Sequence, residues 1–196
     1  MKSMRVFEVR EHMDYQPVMT EDEEKTGDLI RRRDNFLEGA TPSIGDFDFP
    51  NYYVSVPKAK RGNFFGMGTG LWLFDEAARS ALKGIVEAAG NLFKVEVEDV
   101  GTLNALEVTE VCRRAVDHER SRWRGPPDGR WRPILEYAFH EDEIDTKSGL
   151  FLVPENRFSR TFAVTDRPGS PDDFFKRYQD TGLSGLEFRL LWNSDA

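Results

Sequence analysis

One local pattern occurs twice in this chain, and it constrains the fold more than any other feature. "LWLF" (71–74) is an apolar run of strand length that ends at Asp75. "DEAARSALKGIVEAAG" follows, with Asp75 placed to accept hydrogen bonds from the first backbone N–H groups of a helix. Ala78, Leu82, Ile85 and Ala89 fall at i, i+4, i+7 and i+11, which is one apolar face. Gly90 stands where a left-handed helix-ending residue is wanted, and "FKVEVEDV" (93–100) then alternates as a strand does. Near the C-terminus "TFAVTD" (161–166) again runs into an acid. "SPDDFFKRYQDTG" (170–182) offers Ser170 as a cap, Pro171 at the first helical position and acids in the first turn. Gly182 ends it, and "GLEFRLLW" (185–192) returns as a strand. The residues of the two copies do not match, so the echo is one of structure and not a sequence repeat. It predicts helices over 75–89 and 171–181, each leading into a strand.

The remaining segments are mostly strand-like. "MRVFEV" (4–9), "YYVSV" (52–56), "LNALEVTEVC" (103–112), "RPILEYAF" (132–139) and "LFLV" (150–153) read as strands, and "KRGNFFGMGTG" (60–70) as a glycine-rich loop. Between residues 10 and 51 the acidic run "EDEE" precedes a short helix around "GDLIRRRDNFLEG" and a turn-rich tail. Many strands with few helices predict an α+β fold, a mixed and mainly antiparallel sheet with two or three helices packed on it. Residues 1–51 read as an N-terminal arm or peripheral layer, and 52–196 as the α+β domain.

The 196 residues carry a net charge of −8, a field that repels nucleic-acid phosphates and anionic membrane surfaces. The basic runs at 31–33 and 58–61 read as solvated surface. A cationic protein partner suits this balance better than DNA. No apolar stretch approaches the ~20 residues that span a bilayer, and the first residues lack the apolar run of a signal peptide. With Cys112 the single cysteine, no internal disulfide can form, and a cytoplasmic protein is expected.

The chemistry-bearing residues do not converge in sequence. "GNFFGMGTG" lacks both dinucleotide-binding and P-loop spacing, and a strand follows it in place of a helix. His12, His118 and His140 are far apart, and Cys112 lacks the second ligand pair of a structural zinc site. Neither a metal nor a cofactor is expected. Cys112 ends an apolar stretch and reads as a buried thiol. In "AVDHERSRW" (115–123) the consecutive side chains of Asp117, His118 and Glu119 point in different directions, so they do not meet at one reacting atom. Asp117 and Ser121 suit the tying-down of backbone N–H groups, which leaves His118 exposed with no special task.

The order of these segments resembles an immunity-protein family of bacterial polymorphic toxin systems, long known only as a domain of unknown function and with a myxobacterial founding immunity member. Its Y-x-V strand is similar to Tyr53 and Val54, and its strand-to-helix step to Asp75. The segment with Asn and D-x-e-S is similar to Asn104, Asp117, Glu119 and Ser121, and the closing G-x-x-G-x-x-F to Gly182, Gly185 and Phe188. The likeness covers about residues 52–192 in many short matches. It implies a protein that is not an enzyme and works by binding a cognate toxin, often a nuclease with a basic surface that acidic side chains steer toward and whose phosphate ligands they mimic.

For such a partner the sequence offers the acids Glu141, Asp142, Glu143 and Asp145 in "HEDEID", and the aromatic residues Trp123 and Trp131 around the "GPPDG" turn. A solvated acidic face and tryptophans half-buried against the sheet are the plainer alternatives. If 131–139 is one strand, the turn and the acids lie some 25–30 Å apart at ~3.3 Å per residue. Two other functions compete with the immunity reading: a small enzyme acting on a polar substrate, and a regulatory module that binds another protein.

Overall fold

The computed structural model describes residues 3–39, 44, 46–125, 132–168 and 173–195. The chain enters as strand β1 (Arg5–Glu11), β2 (Val18–Met19) and helix α1 (Glu23–Leu37), followed by the short strands β3 (Tyr53–Val54) and β4 (Phe64–Phe65). The first repeated unit is β5 (Trp72–Phe74), α2 (Glu76–Ala81), α3 (Ile85–Ala89) and β6 (Gly90–Val97), with β7 (Gly101–Val108) turning back beside it. After β8 (Arg122–Trp123), β9 (Ile134–Glu136) and β10 (Leu150–Phe151), the second unit is β11 (Thr161–Thr165), α4 (Phe174–Asp180) and β12 (Leu186–Asn193). The fold is α+β and dominated by antiparallel sheet, as the sequence predicts.

The two units share one topology. Each belongs to a four-stranded sheet, in the orders β4-β5-β7-β6 and β10-β11-β1-β12. In both, the two strands of the unit flank a third strand antiparallel to each: β7 between β5 and β6, and β1 between β11 and β12. Strands β5 and β6 therefore run parallel, as do β11 and β12, and the helices are the crossovers such pairs require. The third strand has a different origin in each case. β7 follows β6 through a tight turn, whereas β1 comes from the other end of the chain. The sequence division at residue 52 is corrected here, because β1 is paired on both sides and α1 buries Leu29 and Leu37 in the core.

β5 and β11, inside their sheets, are buried on both faces, which is why they read as unbroken apolar runs, whereas the edge strands β6 and β12 carry exposed residues. Trp72, Phe74, Leu106 and Val108 of one sheet and Leu150, Ala163 and Leu186 of the other share a central layer with the helix residues Ala78, Leu82, Ile85, Phe174 and Tyr178. The opposite face of β5 and β7, with Leu73 and Ala105, packs with Leu29 of α1. The opposite face of β11, with Phe162 and Val164, packs with Cys112, Val116, Phe139 and Ile144. Trp72 Nε1 donates to Thr161 Oγ1 at 3.2 Å and ties β5 to β11 across the central layer.

Several boundaries differ from the sequence reading, each for a local reason. Helix α1 starts at Glu23 because the Asp22 carboxylate accepts from the Lys25 N–H at 2.8 Å, so "EDEE" supplies the first turn. The single helix expected over 75–89 is two, since Gly84 adopts φ +81 between them. Its apolar face survives the break, with Ala78, Leu82, Ile85 and Ala89 all buried. Asp75 caps α2 by accepting from Ala78 N–H at 2.8 Å. Gly90 is not left-handed; at φ 166 it is extended and begins β6. Helix α4 starts at Phe174 with Asp173 as its cap, while Ser170 and Pro171 lie outside the described residues. Strands β3 and β9 are shorter than expected, and β4 lies within the segment read as a loop.

Candidate functional site

The acidic segment sits on a firm base. Beyond β7, Leu152 N–H donates to Glu110 O and Cys112 N–H to Leu152 O, which joins this stretch to the end of β10. The Glu110 carboxylate then gathers the loop after the acids: it accepts from Thr146 Oγ1 at 2.6 Å, Lys147 N–H at 2.7 Å and Ser148 Oγ at 2.6 Å. Between these anchors Glu141–Glu143 form a single 3₁₀ turn, and Ile144 behind them is buried. Glu141, Asp142 and Asp145 are exposed; Glu143 is half-buried and pairs with Arg114 at 2.9 Å. Beneath the turn, Cys112 Sγ donates to Asp145 O at 3.3 Å, and burial pushes its thiol up to about 12. That cysteine is a packing residue, with almost no thiolate at neutral pH.

The segment "AVDHERSRW" folds against this base. Asp117 is 6% exposed, and its Oδ1 accepts from the N–H groups of Glu119 and Arg120, each at 3.0 Å. The Arg120 N–H is the largest influence, and with the Glu119 N–H it outweighs desolvation and holds the carboxyl below its ordinary range. Ser121 is 7% exposed; its Oγ donates to Ala138 O and accepts from Ala138 N–H at 3.0 Å. Both side chains tie down backbone N–H groups, as the sequence predicts. His118 corrects the sequence reading, which gave it no task. Its Nε2 lies 2.9 Å from Glu155 Oε1, and among the described residues it is the one hydrogen-bond partner of that largely buried carboxylate.

Stability measurements separate these roles. Ser121→Ala leaves the Ala138 N–H without its partner and is expected to cost about 1–3 kcal/mol. Asp117→Ala is expected to lower the denaturation midpoint at neutral pH. A carboxyl with a depressed folded-state pKa contributes stability above its unfolded pKa of about 3.9 and loses it as pH falls through the folded value, so the difference from wild type closes in acid. His118→Ala, by orphaning Glu155, is expected to cost about 1 kcal/mol. Urea titrations at neutral and acidic pH check all three, and a neutral His118→Ala would show that Glu155 needs no partner.

The separation of some 25–30 Å is expected between the 125–129 turn and the acids; residues 126–131 lie outside the described residues, and Trp123 is linked toward the acids through His118. Ile134–Glu136 pair with Arg122–Trp123, and further along Val116 bridges Phe139 and His140 N–H donates to Ala115 O, so 115–123 and 134–140 lie side by side. The Trp123 ring lies 5.1 Å from the His118 ring, and its Nε1 donates to His118 O at 3.2 Å. His118 in turn lines, with Glu119, His140, Asp142, Glu143 and Arg114, a surface cleft of about 590 Å³. His140 Nδ1 is 3.8 Å from Asp117 Oδ2 at its floor. Of the predicted residues the cleft brings together Asp142 and Glu143, with Trp123 reached through the His118 ring; Trp131 lies outside the described residues. No sequence pattern joined His118, His140 and Arg114 to the acids, because the contacts depend on the Val116–Phe139 bridge.

The other motif residues lie away from this face. Asn104 is buried and its Nδ2 donates to Phe74 O and to Glu76 Oε2 at 3.3 Å, fastening α2 to β7. Gly182, at φ +66, ends α4. Gly185 lies between α4 and β12, and Phe188 packs among Phe7, Phe175 and Tyr178. Among the described residues no group of three or more His, Cys, Asp or Glu is placed to hold a metal ion, and no helix is long and apolar enough to cross a membrane. No family model matches the chain, and no curated protein matches it significantly.

Proposed function

We propose that this chain is an immunity protein that binds and neutralises a cognate toxin of a bacterial polymorphic toxin system, acting without catalysis in the cytoplasm of the producing cell. The observation that carries the reading is the cleft just described, which Asp142 and Glu143 line together with His118, the ring that Trp123 packs against, while Glu141, Asp142 and Asp145 stand exposed along the adjoining segment. The net charge of −8 adds a long-range field that draws in a basic protein. The acids supply steering and the rim; the tryptophan, backed by His118 and with the Arg132 guanidinium 5.5 Å from its ring centre, supplies an apolar anchor. A nuclease, whose active site is built to receive phosphates, is the toxin class such a face suits best.

Co-expression with the product of the neighbouring gene tests this. The expected result is rescue of growth and co-purification of the two proteins, with rescue lost when Trp123 is changed to Ala in a variant that still folds. Rescue without a physical complex would overturn the binding mechanism, and a neighbouring product that is harmless alone would overturn the immunity reading.

A further inference from the structure

Helix α1, the 66–70 loop and the turn following Pro154 line an open cavity of about 400 Å³. One wall is Arg33, 3% exposed, whose Nη2 donates to Phe158 O at 2.6 Å and whose Nη1 is 3.5 Å from Asp34 Oδ1. Its Nε is buried with no hydrogen-bond partner, and the same holds for Oγ1 of Thr69, 5% exposed in the facing loop. Buried donors are seldom left unmet in a folded protein, least of all on a charged group, unless something else occupies the space beside them. Desolvation alone already disfavours the charged guanidinium, which an anion in the cavity would offset.

The backbone around the cavity is shaped to match. Gly68 and Gly70 are left-handed, and a Cβ on Gly70 would lie 2.7 Å from Arg33 Cζ, so the loop closes directly over the guanidinium. Across from it Arg157 and Phe158 are successive non-glycine residues at φ +55 and +58. Such conformations persist only where the surroundings hold them, and they gather at ligand clamps. Here the Phe158 side chain is buried and its carbonyl accepts from Arg33, which leaves Arg157 at the cavity wall. Arg33 and Arg157 bring two guanidinium groups to the cavity, with Asp34 and the buried Glu107 carboxylate acting on Arg33.

We infer that this cavity is a binding site for a small organic oxyanion, a carboxylate or a phosphate ester, held by Arg33 Nε, the Thr69 hydroxyl and the Arg157 guanidinium. Its size is that of ordinary metabolite sites, and charge-assisted hydrogen bonds from arginine suit both oxyanions.

Calorimetric titration of the full chain with succinate and with inorganic phosphate, at ionic strength matched with sodium chloride, tests it. Saturable binding of at least one probe is expected, and which one binds separates a carboxylate site from a phosphate site. Thr69→Val and Arg157→Asn are each expected to weaken that binding at least about tenfold. Their thermal midpoints should hold without probe, since Thr69 Oγ1 has no bond to lose and Asn tolerates the left-handed region. Binding of neither probe, or equal binding by Thr69→Val and Arg157→Asn, overturns the inference.

Discussion

Gly185→Ala is expected to destabilise the protein by about 2–5 kcal/mol, the largest effect of any single methyl group proposed for this chain. Two costs act together. Gly185 has φ +105, a conformation that a side chain resists. A Cβ there would also lie 2.3 Å from Phe64 O and 2.9 Å from Phe64 C, both backbone atoms of β4, so no rotamer change makes room. The strand cannot simply move aside. Ser184 O accepts from the N–H groups of Asn63 and Phe64 at 3.1 and 3.0 Å, and Gly185 O from His12 N–H at 3.0 Å. This is the seam where β4 of one sheet meets the approach to β12 of the other. Gly182 is the control: it too is left-handed, at φ +66, but has nothing within 4 Å of a Cβ. Gly182→Ala is expected to cost only about 1–2 kcal/mol, and Gly182→Asn less. Equal denaturation midpoints for Gly185→Ala and Gly182→Ala would show that close approach to β4 does not set the requirement.

Reversing Glu141, Asp142 and Glu143 to Lys together is expected to slow association with the toxin about tenfold or more at low ionic strength. Each reversal adds two units of charge, taking the net from −8 to −2 and concentrating the change on the proposed contact face. The deficit should shrink as salt is raised, because exposed charges are screened beyond about 10 Å at 0.1 M. Folding should be little affected. Among the described residues the ion pair lost is Arg114–Glu143, with the Arg114 side chain 80% exposed, and surface pairs contribute about 0–1 kcal/mol. The buried Ile144 and the Glu110 hydrogen bonds that hold the turn are untouched. Stopped-flow association of wild type and triple variant over a salt series decides the matter. An unchanged rate at low salt would make these acids ordinary surface.

By itself the sequence determined the two strand–cap–helix–glycine–strand units. Each rests on signals that act within a few residues: Asp75 beside Ala78, the apolar face from Ala78 to Ala89, and Gly182 after the last turn of α4. It also determined that β5 and β11 are buried on both faces, since Leu71 to Phe74 and Thr161 to Val164 leave no alternation for solvent. Gly84 was a local signal too, but a continuous apolar face on either side of it masked the break. Tertiary structure decided what no local signal carries. The third strand of each sheet is drawn from elsewhere, β7 from the next turn and β1 from the far end of the chain, because strand pairing depends on long-range register and not on composition. The pairing of Val116 with Phe139 brings His118 and His140 to one cleft with Asp142 and Glu143, and packing against the turn after Val153 gives His118 the Glu155 carboxylate to hold. Arg33 shows the limit most plainly: in sequence it is one of three arginines in a solvated run, and only the packing of α1 against the loop at Gly70 and the turn at Phe158 removes it from water.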